Sequence, residues 1–216
     1  RMTLIHRQTT ANEVVALHLF TRPGAASDPD NKLGRTRLMA RVMTKGTSTR
    51  SSDEIAAALE NRGARVWASD SQDSVTVSLK CLRRDLPDVF ALFAEVVLDP
   101  SFPLEEIETE RQRLAAEIRM REDRPPSAAI RRLKELVFPQ HPYARPVEGT
   151  PATIANIYQA DLVAARSDAL KPENLTFAIV GNVALDEARG LVEGAFGRLE
   201  ATVAPQATAR RTFAAA

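Results

Sequence analysis

The 216-residue sequence predicts an α+β fold in which an antiparallel β-sheet packs against several helices. Strand-like segments occur in pairs, and the clearest of them, Val75 to Leu82, alternates apolar residues with Thr76, Ser78 and Lys80. Longer segments with apolar residues at helical spacing separate these pairs. Because single strands and helices do not alternate regularly, the sequence disfavours a parallel sheet.

The strands are predicted from short apolar or alternating runs bounded by turn residues. The first two are close enough in sequence to pair as a hairpin, and the next two are predicted to form a second hairpin. The five predicted strands are Met2 to Arg7, Val14 to Phe20, Val66 to Ser69, Val75 to Leu82 and Leu175 to Val180.

The helices are predicted from apolar spacing together with end signals. Gly46 is expected to end the first helix, and Ser51 with Glu54 has the spacing of a capping box for the second, which Gly63 ends. Pro125 and Pro126 are expected to break the chain. The further predicted helices are Asp85 to Leu98, Pro103 to Glu122, Ala128 to Phe138, Asn156 to Leu170 and Asp186 to Phe196.

The length favours one domain, predicted to span residues 1–200, followed by a linker or disordered tail at 201–216. A net charge of +1 with interleaved acids and bases gives no reason to expect nucleic-acid binding. The longest apolar run is too short for membrane insertion. The chain begins in strand-like sequence without a signal peptide, which is typical of an excised domain.

Few residues are suited to metal binding or nucleophilic catalysis. Cys81 is the only cysteine and lies in an apolar alternation, which favours a buried structural thiol. The three histidines form neither an H-x-x-H nor an H-x-x-x-H pair, and no phosphate-binding glycine loop is present.

The segment Gly34 to Thr47 is predicted to form a nearly buried helix with two arginines on one narrow strip. Arg37 and Arg41 are four residues apart and therefore adjacent on the helix surface. Two buried like charges require partners, so carboxylates are expected opposite them. In the alternative interpretation, the strip faces water and both arginines only aid solubility.

The order of several motifs resembles the pitrilysin or insulinase family of zinc metallopeptidases, which includes the mitochondrial processing peptidases and respiratory-complex core proteins. The resemblance covers about residues 2 to 200. It depends on Thr44-Lys-Gly-Thr before Arg50-Ser-Ser-Asp-Glu-Ile, the block Glu110-x6-Glu117-Ile-Arg-Met-Arg-Glu-Asp-x-Pro, His141-Pro-Tyr with Gly149-Thr150, and Pro172-Glu-Asn-Leu before a strand ending in Gly181.

The resemblance implies a degenerate catalytic site. Active members carry H-x-x-E-H on the first helix, two zinc ligands and a general base, and the corresponding positions here are Arg37, Ala40 and Arg41. Glu117 falls at the third ligand and Glu110 at its supporting carboxylate. An arginine has no free lone pair for zinc, and an alanine activates no water, so we expect no bound metal and no activity of this chain alone.

The resemblance also implies a peptide-binding edge strand at Val66, Trp67, Ala68 and Ser69, to which an extended substrate adds as a further strand. Trp67 stands where the family usually has an asparagine, and it is equally explained as a half-buried residue on the sheet face. His141 is expected to belong to a structural loop that closes over the domain and to bind no metal.

The resulting interpretation is a non-catalytic domain that pairs with an H-x-x-E-H-bearing second domain or subunit to form a peptide-degrading or processing zinc peptidase. Zinc is expected only in that partner, and the substrate is a peptide or unfolded protein. A structural or assembly protein with no peptidase role is the first alternative, and an unrelated enzyme is the second. Bacterial cytoplasm and periplasm both remain open.

One further hypothesis concerns the lost metal. If the arginines project toward Glu110 and Glu117, two guanidinium groups replace the charge of zinc. Removing one member of such a cluster is expected to cost about 3 to 5 kcal/mol if it is buried and roughly 0 to 1 kcal/mol if it is wet.

Overall fold

The computed structural model describes residues 2–199 and shows a mixed five-stranded sheet with helices packed on one face. The predicted linker or tail at 201–216 lies outside the described residues. The strands are β1 (Thr3–Gln8), β2 (Val14–Thr21), β3 (Arg65–Asp70), β4 (Val75–Leu82) and β5 (Thr176–Gly181). The helices are α1 (Arg35–Val42), α2 (Ser52–Glu60), α3 (Leu86–Leu98), α4 (Leu104–Glu122), α5 (Pro125–Val137), α6 (Pro151–Ala155), α7 (Gln159–Ala169) and α8 (Leu185–Phe196).

The sheet order is β1-β5-β2-β4-β3, which confirms the predicted β3–β4 hairpin and corrects the predicted β1–β2 hairpin. The last strand, β5, lies between β1 and β2. It is antiparallel to β2 but parallel to β1, so one pair departs from the expected antiparallel arrangement. Helices separate β5 from the early strands in sequence, and local pairing signals therefore gave no indication of this insertion.

One face of the sheet forms the main core. Inward side chains from β2, β4 and β5 pack against α1, α3 and α8, with Leu17, Leu79 and Phe177 all fully buried. Cys81 belongs to this core as predicted, and burial raises the pKa of its thiol to about 11. The α+β class predicted from the sequence is confirmed.

Three predicted helix boundaries change for identifiable reasons. The first helix ends at Val42 instead of Gly46, because Gly46 forms an isolated bridge with Ser51. Pro125 and Pro126 begin α5 instead of breaking the chain, since proline is compatible with the first helical turn. The predicted helix at Asn156 to Leu170 starts later, since α7 begins at Gln159 after Tyr158, whose amide donates to the Asp161 carboxylate.

Ser51 and Glu54 form the predicted capping box of α2. The Ser51 hydroxyl accepts a hydrogen bond from the Glu54 amide, and the Glu54 carboxylate accepts one from the Ser51 amide.

Two glycines hold the loop at residues 144–150 against the start of α1. Gly34 has φ of 91° and Gly149 has φ of 75°. A Cβ atom on Gly149 would lie 2.1 Å from the Leu33 carbonyl oxygen, and one on Gly34 would lie 2.6 Å from the Glu148 carbonyl oxygen. This close approach requires glycine at both positions and places Glu148 beside α1.

Candidate functional site: an arginine and carboxylate cluster on α1

The α1 helix is almost entirely buried except for its arginine strip. Leu38 and Val42 are fully buried, and Ala40 is 2% exposed. Arg37 and Arg41 both lie on the remaining edge, with side chains 19% and 28% exposed. This half-buried position means that each guanidinium group requires acidic partners.

Arg41 contacts Glu110 and Glu117, the two carboxylates that the family resemblance implied opposite it. Its Nη1 and Nη2 atoms donate to the two oxygens of Glu117 at 2.9 and 2.6 Å, a planar bidentate pair. Its Nη1 atom also lies 3.7 Å from Oε2 of Glu110, whose side chain is only 8% exposed. Arg113 donates to the other Glu110 oxygen at 2.8 Å, so this buried carboxylate lies between two cations.

Arg37 does not share these partners, in contrast to the hypothesis that both arginines face α4. Its Nε atom donates to Asp70 at the end of β3, 3.1 Å from each carboxylate oxygen. Its Nη1 atom lies 4.0 Å from Glu148. Because Arg37 is one helical turn before Arg41, it lies closer to the end of β3 than to α4.

Three members of this cluster were not predicted from the sequence: Asp70, Glu148 and Arg121. Arg121 of α4 donates to Glu148 at 2.6 Å. Ion pairs therefore run from Asp70 through Arg37 and Glu148 to Arg121. The approach of the 144–150 loop to Gly34 supplies Glu148, and only the tertiary fold could reveal it.

The cluster holds Glu117 as a carboxylate. Hydrogen bonds from Arg41 lower the pKa of Glu117 from its usual value of 4.5. The same bonds raise the pKa of Arg41, against the opposing effect of partial burial. Both groups are therefore charged at neutral pH, and the pair is an ion pair.

These residues do not fit a zinc ion. Both Glu117 oxygens already accept hydrogen bonds from Arg41, and a guanidinium group offers no lone pair to a metal. Within residues 2–199, no group of three or more His, Cys, Asp or Glu side chains has a metal-binding arrangement.

The predicted peptide-binding strand is an edge strand. β3 contains Val66, Trp67, Ala68 and Ser69 and pairs only with β4 in the described sheet, so its other edge is available for strand addition. Trp67 is half-buried on the sheet face, where the guanidinium carbon of Arg65 lies 5.1 Å from the centre of its ring. Peptide binding at this strand stays a prediction.

His141 lies in the loop that closes over the β3–β4 turn, as the resemblance implied. Its Nδ1 atom accepts a hydrogen bond from the Tyr143 amide at 3.2 Å. The Tyr143 hydroxyl donates to the carboxylate of Asp73 in that turn, at 2.8 and 2.6 Å from its two oxygens. These contacts give the loop a structural role.

Solved structures define the class of fold to which this chain belongs. The inactive domain of a peptidase M16 from Pseudomonas fluorescens superimposes with a TM-score of 0.87 at 23% identity, covering 94% of this chain and 50% of that one. The first half of the periplasmic protease PqqL from Escherichia coli gives 0.82 at 22% identity, covering 92% and 44%. This chain therefore has the same fold as about half or less of each of these solved chains.

The sequence then gives the family. Residues 3–151 match the model of Insulinase (Peptidase family M16), which is more than half of the chain, and the protein belongs to that family. An uncharacterized zinc protease of Mycobacterium leprae is 29% identical over 174 residues, which cover 81% of this chain and 39% of that protein. The chain thus spans about two fifths of the length of this relative.

None of the helices within residues 2–199 is both long and apolar enough to cross a membrane.

Proposed function

We propose that this chain is a non-catalytic M16 domain that pairs with an M16 domain bearing H-x-x-E-H, and that the pair forms a peptide-degrading or processing zinc peptidase. The observation that carries the proposal is the Arg41–Glu117 pair. It occupies the place that the family resemblance assigns to a metal ligand on each of two helices. Zinc, the general base and the cleavage chemistry then belong to the partner.

The open face of the sheet supports pairing. One residue from each of the five strands forms a row across this face. The order of the row is Ile5, Ala178, His18, Ser78 and Trp67. Nδ1 of His18 and Oγ of Ser78 are hydrogen-bonded at 2.8 Å. The neighbouring side chains Ile5, Phe20 and Val180 are 58%, 41% and 43% exposed.

The open face also carries Arg7, Lys80 and Arg65 in the row of Val180, so it is a mixed surface. A mixed face that is still open favours a covering element of matching composition. The chain spans only about half of its structural relatives or less, so a second M16-type domain is the natural occupant. In this arrangement the β3 edge lies at the boundary between the two halves and takes an extended peptide by strand addition.

Co-expression with an H-x-x-E-H homologue from the same source tests this proposal. We expect a stable complex by light scattering, stoichiometric zinc in the complex, and peptide cleavage that a chelator abolishes. Phe20→Asp is expected to prevent association by placing a charge in an uncharged part of this face, where Phe20 lies between Thr176 and Thr76. Val163→Asp is the matched control, because Val163 on α7 is similarly exposed at 45% but lies off the sheet.

Two results would contradict the proposal. One is a chain that binds no such homologue under any of these conditions. The other is that the complex forms, but the homologue alone has the same zinc content and the same cleavage activity. That result favours the structural or assembly role.

A further inference from the structure

The α5 helix is amphipathic, yet none of its residues is buried. Ile130, Leu133, Leu136 and Val137 share one side of the helix and are between 56% and 64% exposed. Helices in folded domains gain most of their stability by burying an apolar face, so this exposure marks a surface that binds something else.

A groove lies between this helix, the end of α4 and the loop at residues 144–150. We call it the α5 groove. Its volume of about 510 Å³ falls within the range of ordinary ligand pockets. Ile118, which is 5% exposed, and Ile130 contribute apolar surface, and Pro146 and Val147 of the loop add more.

One cation in the α5 groove lacks an acidic partner. Arg121 is paired with Glu148, and Arg131 with Glu122 at 3.4 Å. Lys134, which also lines the groove, makes no salt bridge to any residue of the described chain. A carboxylate is therefore the complementary group for this position.

The α5 groove is connected to the edge strand by the ion-pair cluster. Glu148 and Arg121 line the groove, and Glu148 also lies 4.0 Å from Arg37. Arg37 is bonded to Asp70, the last residue of β3. A chain of ion pairs therefore links the Asp70 end of β3 to the α5 groove.

We propose that the α5 groove binds a peptide segment in which an apolar side chain is followed by a carboxylate. The apolar side chain lies against Ile130, and the carboxylate pairs with Lys134. This inference rests on the proposed peptide-binding function and specifies the class of substrate. The carboxylate comes either from an acidic side chain or from a peptide C-terminus.

Fluorescence polarisation with labelled peptides and the whole chain tests this inference. The first probe is fluorescein-Gly-Ser-Leu-Leu-Glu with an amidated C-terminus. The second replaces Glu by Gln and keeps the amide, and the third carries Gln with a free C-terminus. We expect the second probe to bind about fivefold more weakly than the first, since it lacks one exposed charge pair, and the third shows whether a terminal carboxylate substitutes for the side chain.

Variants of the chain identify the groove as the site of binding. Lys134→Gln is expected to weaken binding of the first probe about fivefold, the loss of one exposed charge pair. Ile130→Ser is expected to weaken all bound probes, and since its side chain is more than half exposed the fold is retained. Lys171→Gln, a lysine outside the groove paired only with Asp168, is the matched control with unchanged binding.

The inference is overturned if the first two probes bind equally, if Lys134→Gln binds like the wild type, or if no probe binds at all. It is also overturned if Ile130→Ser dissociates the complex with the H-x-x-E-H homologue, because the partner then occupies the groove. These assays use the chain alone for peptide binding. A failure of the chain to pair with the homologue is measured in the complex. It can therefore be distinguished from a failure of the α5 groove to bind peptide.

Discussion

Replacing Glu117 by alanine tests whether the ion pair between Arg41 of α1 and Glu117 of α4 is exposed to water or buried. The Glu117 side chain is 48% exposed and that of Arg41 is 28% exposed, so water competes for both groups. We therefore expect Glu117→Ala to lower the free energy of unfolding by only about 1 kcal/mol. The cost of about 3 to 5 kcal/mol expected for removing one member of a buried cluster applies instead to Glu110, whose side chain is 8% exposed.

A double-mutant cycle measures the pair directly. Urea unfolding of Arg41→Ala, Glu117→Ala and the double variant is expected to give a coupling of about 0.5 to 1 kcal/mol at neutral pH. The more exposed Arg132–Glu135 pair, whose residues are three positions apart on α5, is the control and should show no measurable coupling. A coupling above about 3 kcal/mol would refute the view that water screens the Arg41 pair.

The coupling also depends on pH in a defined direction. Because the pKa of Glu117 is lowered in the folded state, its contribution is fully present above the ordinary value of 4.5. It is lost as the pH falls through the lowered pKa, where the carboxylate takes up a proton. A coupling that grows on acidification would show that Arg41 and Glu117 do not interact as charges.

Three further predictions follow from the same region. Asp70→Ala should lower the free energy of unfolding by about 2 to 4 kcal/mol in urea unfolding, more than Glu117→Ala, because its side chain is 9% exposed and Arg37 loses its main partner. Gly149→Ala should lower the melting temperature, since its Cβ meets the Leu33 carbonyl, whereas Gly190→Ala on α8 meets nothing within 4 Å and should not. Metal analysis of the dialysed chain alone should find no stoichiometric zinc, and chelator-sensitive peptide cleavage by that chain would contradict the assignment.

The sequence predicted the parts of this fold that depend on local chemistry. The capping box at Ser51, the β3–β4 hairpin and the buried Cys81 all follow from spacing and side-chain type, and the structure confirms each of them. The predicted start of α5 at Ala128 is wrong, because Pro125 and Pro126 belong to the helix instead of breaking the chain before it. Proline is well suited to the first helical turn, so these two residues form the start of α5.

In the candidate site, contacts between residues far apart in the sequence were predictable only from the family resemblance. Arg41 and Glu117 are 76 positions apart, and they pair as the resemblance implied. Arg37 could not be assigned correctly, because its partner Asp70 is an unremarkable strand-end residue in the sequence. Glu148 gave no signal either, since its position depends on how closely two glycines allow a loop to approach α1.

The place of β5 in the sheet affects how this chain folds. His6 of β1 hydrogen-bonds the carbonyl of Val183, just after β5, and the two residues are 177 positions apart. β1 therefore has no native neighbour in the sheet until β5 has formed. Until then, β1 and β2 are free to pair locally as the hairpin that their sequences favour, and this pairing must open to admit β5. High contact order of this kind slows folding, so a non-native hairpin between the first two strands is the expected kinetic trap of this domain.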